Sequence, residues 1–285
     1  MDDQLLPDLL RLRGSVVAAS DEFFAAKENL IKPTAPVFVP DTYGAKGQVY
    51  DGWETRRRRG PGGTLPERTA RDWVIVRLGV PGVVRSIVVD TTFFTGNYPQ
   101  ACSADACSAS GYPSFAEIAG DPEAADWKEI VPRVLVTGDA RHAFKVNAER
   151  RFTHVRLNIF PDGGVARLHV HGEVVPDPAL FEGLTFDLAE IDTSWYRGNQ
   201  PDTASLQALD ATTGASLSDR SAWRDLLPPV RLLPDTPHRF RVTAAPATHV
   251  RLNIFPDGGV ARLRLYGSLT EDGLAAMRRR WEETA

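Results

Sequence analysis

The sequence predicts an all-β fold: tandem β-sandwich domains from an internal duplication, the second domain incomplete, with a short C-terminal helix. Three observations predict it. Apolar runs are short and rich in β-branched residues, Gly (23) and Pro (21) fall between them, and a long block of sequence occurs twice. Short continuous apolar runs bounded by turn residues suit strands of a sandwich core. The 285 residues leave room for roughly two domains at about 150 residues each. The expected division is 1–175 for a complete first repeat, 176–269 for a truncated second repeat, and 270–285 for the helix.

Taken in order, the N-terminal stretch Leu5 to Leu12 invites a helix. Strands are expected at Trp73 to Leu78, Val83 to Val89 and Val134 to Val136. The block Thr153 to Leu168 then recurs without change at Thr248 to Leu263. Similarity extends upstream, where Trp127 to Phe144 resembles Trp223 to Phe240, and Asp90 to Asn97 resembles Asp192 to Asn199. An offset of about 100 residues is too long for a solenoid and marks a duplicated domain. The second copy reaches Asp192 within a few residues of Phe186-Asp187-Leu188, so it lacks roughly the first half of the unit. After Thr270-Glu271-Asp272-Gly273, Leu274, Met277 and Trp281 share one helical face, and Arg278 to Arg280 lie near the end. Acidic start and basic end match the helix dipole.

The repeated block predicts a β-hairpin. His154, Arg156 and Asn158 alternate with Val155, Leu157 and Ile159, and Pro161-Asp162-Gly163-Gly164 supplies a turn. A four-residue loop sets Phe160 opposite Val165, Asn158 opposite Arg167, Arg156 opposite His169, and His154 opposite His171, all on one polar face. The plain reading of that face is solvated sheet. The functional reading is a shallow site for a small anion or amide, since Arg forks onto carboxylates and Asn both donates and accepts. The second copy keeps Asn253 and Arg262 but has Arg264 and Tyr266 for the two histidines, which weakens a metal reading of His169-X-His171.

A second cluster is Asp51-Gly52-Trp53-Glu54-Thr55-Arg56-Arg57-Arg58-Arg59. Arginines beside carboxylates suggest an anion site with an acid or base next to it. Thr95-Gly96-Asn97 reads as a turn, or as a loop carrying Asn97 at the end of a sheet.

Several classes are excluded. The formal charge of −4 argues against nucleic acid or an anionic membrane as partner. No apolar stretch is long enough to span a bilayer, and the acidic N-terminus does not read as a secretory signal, so the cytoplasm is the expected compartment. Two cysteines, Cys102 and Cys107, make no disulfide scaffold and are expected as free thiols. GxSxG, P-loop, GxGxxG and HExxH motifs are absent from the sequence.

These motifs resemble the allantoicase family. The resemblance rests on Asp51 to Arg59, Phe93-Phe94-Thr95-Gly96-Asn97-Tyr98-Pro99, both copies of Arg-Leu-Asn-Ile-Phe-Pro-Asp-Gly-Gly-Val-Ala-Arg, Ser20 to Phe24, and Glu28-Asn29-Leu30, and it covers nearly the whole chain. It implies two jelly-roll β-sandwiches and a homo-oligomer. It also implies a hydrolase acting on C–N bonds of linear amidines, which converts allantoate to ureidoglycolate and urea in purine breakdown. Family members usually carry the Asp-Gly-Trp-Glu-Thr-Arg region in both repeats; here the second is absent. For that chemistry the residues suggest Glu54 or Asp51 as acid/base, with His154 as the alternative base. Arg56, Arg57, Arg58, Arg59, Arg156 and Arg167 would hold the carboxylate, and Asn97 and Asn158 a ureido group. Neither sequence nor resemblance fixes a cofactor, and a divalent metal stays open. The alternative is a small-ligand-binding or scaffold protein that lost catalysis with the missing half-repeat.

Overall fold

The computed structural model describes residues 6–111, 113–119, 126–182, 187–242 and 246–285. The chain divides into two compact units, one of Met1–Asp177 with Met277–Ala285, the other of Pro178–Ala276. Both are β-structures, and the chain belongs to the jelly-roll sandwich class the sequence predicts.

In the first unit the strands are β1 (Ser15–Ala19), β2 (Tyr43–Gly44), β3 (Gly47–Gln48), β4 (Trp53–Glu54), β5 (Asp72–Asp90), β6 (Ala101–Cys107), β7 (Lys128–Leu135), β8 (Arg141–Lys145), β9 (Arg151–Phe160), β10 (Gly164–Val165) and β11 (Arg167–Val174). A short helix α1 (Phe115–Ala119) precedes β7. The two runs expected as separate strands, Trp73 to Leu78 and Val83 to Val89, lie in the single 19-residue β5. Its first part pairs with β1 and β9, and its last part pairs with β8 and β11. The register breaks between Arg77 and Gly82, beside Pro81, which has no N–H for a ladder. One strand therefore belongs to both layers, β1-β5-β9-β6-β7 and β11-β5-β8. Val74, Val76, Ile87, Val89, Leu157, Ile159, Leu168 and Val170 fill the space between them.

The hairpin expectation is overturned. β9 does not pair with β11; it lies between β5 and β6. Beyond it, Gly164 and Val165 pair with Glu54 and Trp53. β11 then joins the last part of β5, with Arg167 opposite Asp90. The connection from Phe160 to Arg167, which includes β10, crosses between layers, so Asn158, Arg156 and His154 do not face Arg167, His169 and His171. Alternation correctly separates two faces, but period two does not say which strand is the neighbour.

The N-terminal helix is likewise not formed. Leu5 lies outside the described residues, and from Leu6 to Arg13 the chain makes a bridge and a turn. Leu9 donates its N–H to the Val170 carbonyl at 2.7 Å, and Leu9 and Leu10 are both buried. Docking on β11 takes the donor that a helix would use.

In the second unit the strands are β12 (Leu188–Asp192), β13 (Thr203–Leu209), β14 (Arg224–Arg231), β15 (Pro237–Arg241), β16 (His249–Phe255) and β17 (Arg262–Tyr266). They form two separate sheets, β15-β12-β17 and β14-β13-β16. β12 matches only the end of β5, so among the described residues no strand links the layers as β5 does. Among the described residues β16 pairs with β13 alone. Val155, Leu157 and Ile159 are fully buried in the first copy, whereas the identical Val250, Leu252 and Ile254 stay partly exposed. Phe160 is 7% exposed and Phe255 47%. A cavity of about 510 Å³, lined by Leu188, Leu226, Val242, Val250 and Leu265 among others, opens in this unit.

Helix α2 (Glu271–Glu283) forms where expected, and Thr270 Oγ1 accepts the Gly273 N–H at 3.0 Å as its cap. Its last turns pack in the first unit. Arg280 forks onto Glu173 at 2.6 Å, and the Arg151 guanidinium lies 3.5 Å over the Trp281 ring.

The crossing demands two glycines. Gly163 has φ +139°, a region where a side chain is strained. A Cβ on Gly164 would stand 2.0 Å from the Phe94 ring, itself buried. Gly164→Ala is expected to destabilise the protein by about 1–3 kcal/mol through overpacking. The check is a lower urea-denaturation midpoint at unchanged slope.

Candidate functional site

β4 is fixed from both sides. Trp53 is buried in the core and its Nε1 donates to the Asp21 carbonyl at 2.8 Å. The Asn29 amide donates to the Gly52 carbonyl at 2.9 Å. The Glu54 backbone exchanges hydrogen bonds with Ala25 while the strand pairs with β10. With Trp53 turned inward, alternation turns Glu54 toward the loop that carries Asn97. Asn97 Nδ2 donates to Glu54 Oε1 at 2.8 Å. That loop is held by its own backbone, since Gly164 N–H donates to the Asn97 carbonyl at 2.7 Å. Its start is capped by Asp90 Oδ1 on the Thr92 N–H at 2.9 Å.

Glu54 is 9% exposed. Burial pushes its carboxyl above the ordinary range, against the opposing pull of the Asn97 hydrogen bond and the Arg57 charge. Asn97 Oδ1 is buried without a hydrogen-bond partner.

Arg56, Arg57 and Arg58 are anchored by carboxylates and remain partly open to solvent. Arg57 Nη1 donates to Asp162 Oδ1 at 2.9 Å and its Nη2 to the Gly96 carbonyl at 2.8 Å. The Arg58 N–H donates to Asp162 Oδ2 at 2.7 Å, and its Nη2 to Asp72 Oδ1 at 2.6 Å. Ser20 Oγ donates to the same Asp72 oxygen. Arg56 donates its backbone N–H to Asp21 Oδ1, and its guanidinium lies 4.3 Å over the Phe23 ring. Arg59 is exposed and makes no hydrogen bond or ion pair among the described residues. The result is a buried carboxyl with an amide on it and the Arg57 charge beside it, followed in the chain by three more partly solvated arginines. A small anion can dock there next to a group able to exchange a proton.

The other residues singled out in the sequence lie elsewhere. Asp51 is joined to Arg167 at 2.6 Å and to Lys32 at 2.7 Å. Burial pushes its carboxyl up, but hydrogen bonds from Arg167, Lys32 and the Val37 N–H outweigh it and hold the group below the ordinary range. A carboxylate so held is a poor proton carrier. Arg167 is itself 1% exposed and donates to the Thr34, Ala35, Asp51 and Ala166 carbonyls. Its planar fork ties the 34–51 loop to β11.

Arg156 and Asn158 point to the face of β9 opposite the core residues Leu157 and Ile159. There Arg156 Nε and Nη2 both donate to Asp105 Oδ2, and Asn158 Nδ2 donates to the same oxygen and to Ser103 Oγ. The second copy repeats this network with Arg251, Asn253, Gln207 and Ser205, although it has nothing matching Glu54. The network belongs to the sandwich, not to the Glu54 group.

His154 is 1% exposed, with its ring Nδ1 2.8 Å from Thr153 Oγ1. Burial and the Arg77 charge lower its pKa from 6.5 to about 4. It is neutral at pH 7 and stands at the far end of β9, between Arg77 and Cys107. Cys102 and Cys107 are free and buried, and burial pushes both thiols up to about 12, so neither is a nucleophile. One group of potential metal ligands occurs among the described residues, Asp8 with His169 and His171.

Sequence reasoning missed Asp162, Asp72 and Asp21. Asp162 was read only as a turn residue, yet it is 2% exposed under two arginines. Its counterpart Asp257 is exposed, because the second copy has no arginine run. The available signal was a count: a run of four guanidinium groups needs anions, and the nearby carboxylates supply them.

His154 leads to a stability test. Its folded pKa lies below its unfolded one, so its contribution is present above pH 6.5 and is lost as pH falls toward 4. The loss of thermal stability over pH 6.5–4 is expected to be smaller in His154→Asn than in wild type, measured by calorimetry across that window.

Comparison with known proteins places the chain in a family. The family model described as "Allantoicase repeat" matches residues 8–175 and 183–270. A probable allantoicase of Streptomyces coelicolor is 42% identical, covering 96% of this chain and 88% of its own. The aligned stretch of 338 positions exceeds the 285 residues here, so the relative carries residues with no counterpart in this chain. A probable allantoicase of Nocardia farcinica is 43% identical over 93% of this chain and 94% of its own. The crystal structure of allantoicase from Saccharomyces cerevisiae superposes with a TM-score of 0.67 at 28% identity, covering 92% of each chain. On fold, on both repeats and on identity along the chain, this protein is a member of the allantoicase family.

Proposed function

We propose that the protein is an active hydrolase that converts allantoate and water to ureidoglycolate and urea, and that the reaction takes place at Glu54 in the first unit. The carrying observation is the buried Glu54 carboxyl, raised above its ordinary range and bonded to Asn97.

Allantoate has one carboxylate and a carbon bearing two ureido groups. Arg56, Arg57, Arg58 and Arg59 offer that carboxylate charge-assisted hydrogen bonds, each worth roughly 1.5–3 kcal/mol. Arg56, Arg57 and Arg58, already paired, lose little freedom when the anion binds. Water must add to the substituted carbon, and the departing urea must gain a proton. Glu54 serves both steps: as carboxylate it takes a proton from the attacking water, then as acid it gives that proton to the leaving nitrogen. A carboxyl with a raised pKa is suited to that exchange, which contributes typically 10²–10⁴-fold. Asn97 orients the carboxyl, and its unpartnered Oδ1 is an acceptor for a ureido N–H.

This reading places the chain in purine breakdown, as a cytoplasmic homo-oligomer. No helix among the described residues is long and apolar enough to cross a membrane. A binding module or scaffold would have no use for a buried, raised carboxyl beside an anion site.

The direct test is release of urea from allantoate by the purified protein. Glu54→Gln is expected to lower kcat by at least about 100-fold with the circular dichroism spectrum unchanged; a loss under about tenfold removes Glu54 from the proton-transfer role. Asn97→Leu removes a donor that stabilises the Glu54 carboxylate. The acid limb of its pH–kcat profile is expected to move to higher pH, and an unmoved limb would show that another group titrates there.

A further inference from the structure

Away from the Glu54 group, the first unit brings together three ligating side chains from segments far apart in sequence. We propose that Asp8, His169 and His171 form a binding site for one divalent transition ion of the zinc class, which clamps the N-terminal segment onto β11. The site is independent of the hydrolytic reading.

His169 and His171 are two residues apart on β11, so they share a face, and their rings lie parallel at 6.0 Å between centroids. The N-terminal segment crosses that face, with Asp8 bridging to His171. One donor atom from each of the three residues lies within 4.8 Å of the others. Asp8 Oδ2 and His169 Nδ1 are 2.9 Å apart. A tetrahedral ion bound at about 2.1 Å holds two donors about 3.4 Å apart, so the pair opens by about half an ångström to take it. Small side-chain rotations of His171 complete the set.

The support around the ligands is that of a metal site. Asp8 Oδ1 is occupied by the N–H groups of Leu10 at 3.1 Å and Val170 at 3.2 Å, which leaves Oδ2 as the ligand atom. His171 Nδ1 lies 3.3 Å from the Leu6 carbonyl, the backbone contact that commonly orients a ligating imidazole. All three residues are half-buried, so the ion is reachable yet screened from bulk water. Two imidazoles and a carboxylate select zinc-like ions over calcium or magnesium.

The second copy supplies an internal comparison. It carries Arg264 and Tyr266 in place of the two histidines, and Arg264 pairs with Glu190 there. The permanent guanidinium fills a position where the first copy offers an imidazole. One cation does stand near the proposed ion: Arg11 Nε lies 3.4 Å from Asp8 Oδ2, while its Nη1 donates to the Ile31 carbonyl. It competes with the metal, so Arg11→Gln tightens binding.

The test uses untagged full-length protein stripped with a chelator and dialysed into metal-free buffer. Zn²⁺ is titrated calorimetrically, the bound metal is counted by mass spectrometry, and the thermal midpoint is read with and without it. The expected result is one equivalent bound and a raised midpoint. His171→Gln is expected to lose at least about tenfold in affinity while His238→Gln, in the second unit, loses none. His169→Ala also breaks the Asp8 pair and could unfold the segment, so His171→Gln decides. Absence of saturable binding by wild type overturns the proposal, as does unchanged affinity in His171→Gln.

Discussion

The buried Asp162 carboxylate is the constraint on which the rest of the site depends. A charge 2% exposed is stable only when paired and hydrogen-bonded. Arg57 and the backbone of Arg58 provide that pairing. In doing so they fix the chain leaving β4 against the loop leaving β9. The same loop holds Asn97 through Gly164, and Asn97 holds Glu54. Remove the anion and the Arg57 guanidinium and the Arg58 N–H lose their acceptor, and the strand carrying Glu54 loses its hold on the loop leaving β9.

The duplication isolates what each part of the sequence contributes. Sixteen residues are identical in both copies, Thr153–Leu168 and Thr248–Leu263, yet their surroundings differ. The 90–97 loop and its counterpart are built alike. Asp192 caps Ser194 as Asp90 caps Thr92, and the Trp195 N–H donates to Asp235 as that of Phe93 does to Asp139. Gly259 N–H donates to the Asn199 carbonyl at 2.8 Å. Asn199 nevertheless stays exposed, because no glutamate lies opposite. Shared strands thus give the frame, and the segment from Asp21 to Asp72 gives the chemistry. The first part of β5, which pairs along β9, is missing from the second copy as well, which explains why Val250, Leu252 and Ile254 stay partly exposed.

Much of this was legible in the sequence. The β class, the duplication with its incomplete second copy and the C-terminal helix follow from periodicity, repetition and charge placement. Glu54, Asn97 and Arg56 to Arg59 were among the residues singled out, and of these the structure joins Glu54 to Asn97 and sets the Arg57 charge beside them. The hairpin failed because alternation defines the faces of a strand and not its neighbours; only β5, spanning both layers, decides that β9 and β11 separate. Arg156, Asn158 and His154 were grouped with the site because they are polar and repeated. Arg156 and Asn158 instead form a largely buried hydrogen-bond network on Asp105 and Ser103, and His154 is a buried neutral imidazole. Asp51 was read as an acid because it stands beside Glu54 in sequence, but its partner in space is Arg167. Asp162 was hidden in a turn motif whose residue types suffice to explain it locally.

The central claim is that one complete repeat carries the whole site. It is tested most directly by the crystal structure of Glu54→Gln with allantoate. The account predicts substrate bound beside residue 54, its carboxylate on Arg56 to Arg59 and a ureido group at Asn97, with the second unit empty. Substrate lying instead on the Arg156–Asn158 face, or in the second unit's cavity, would contradict it.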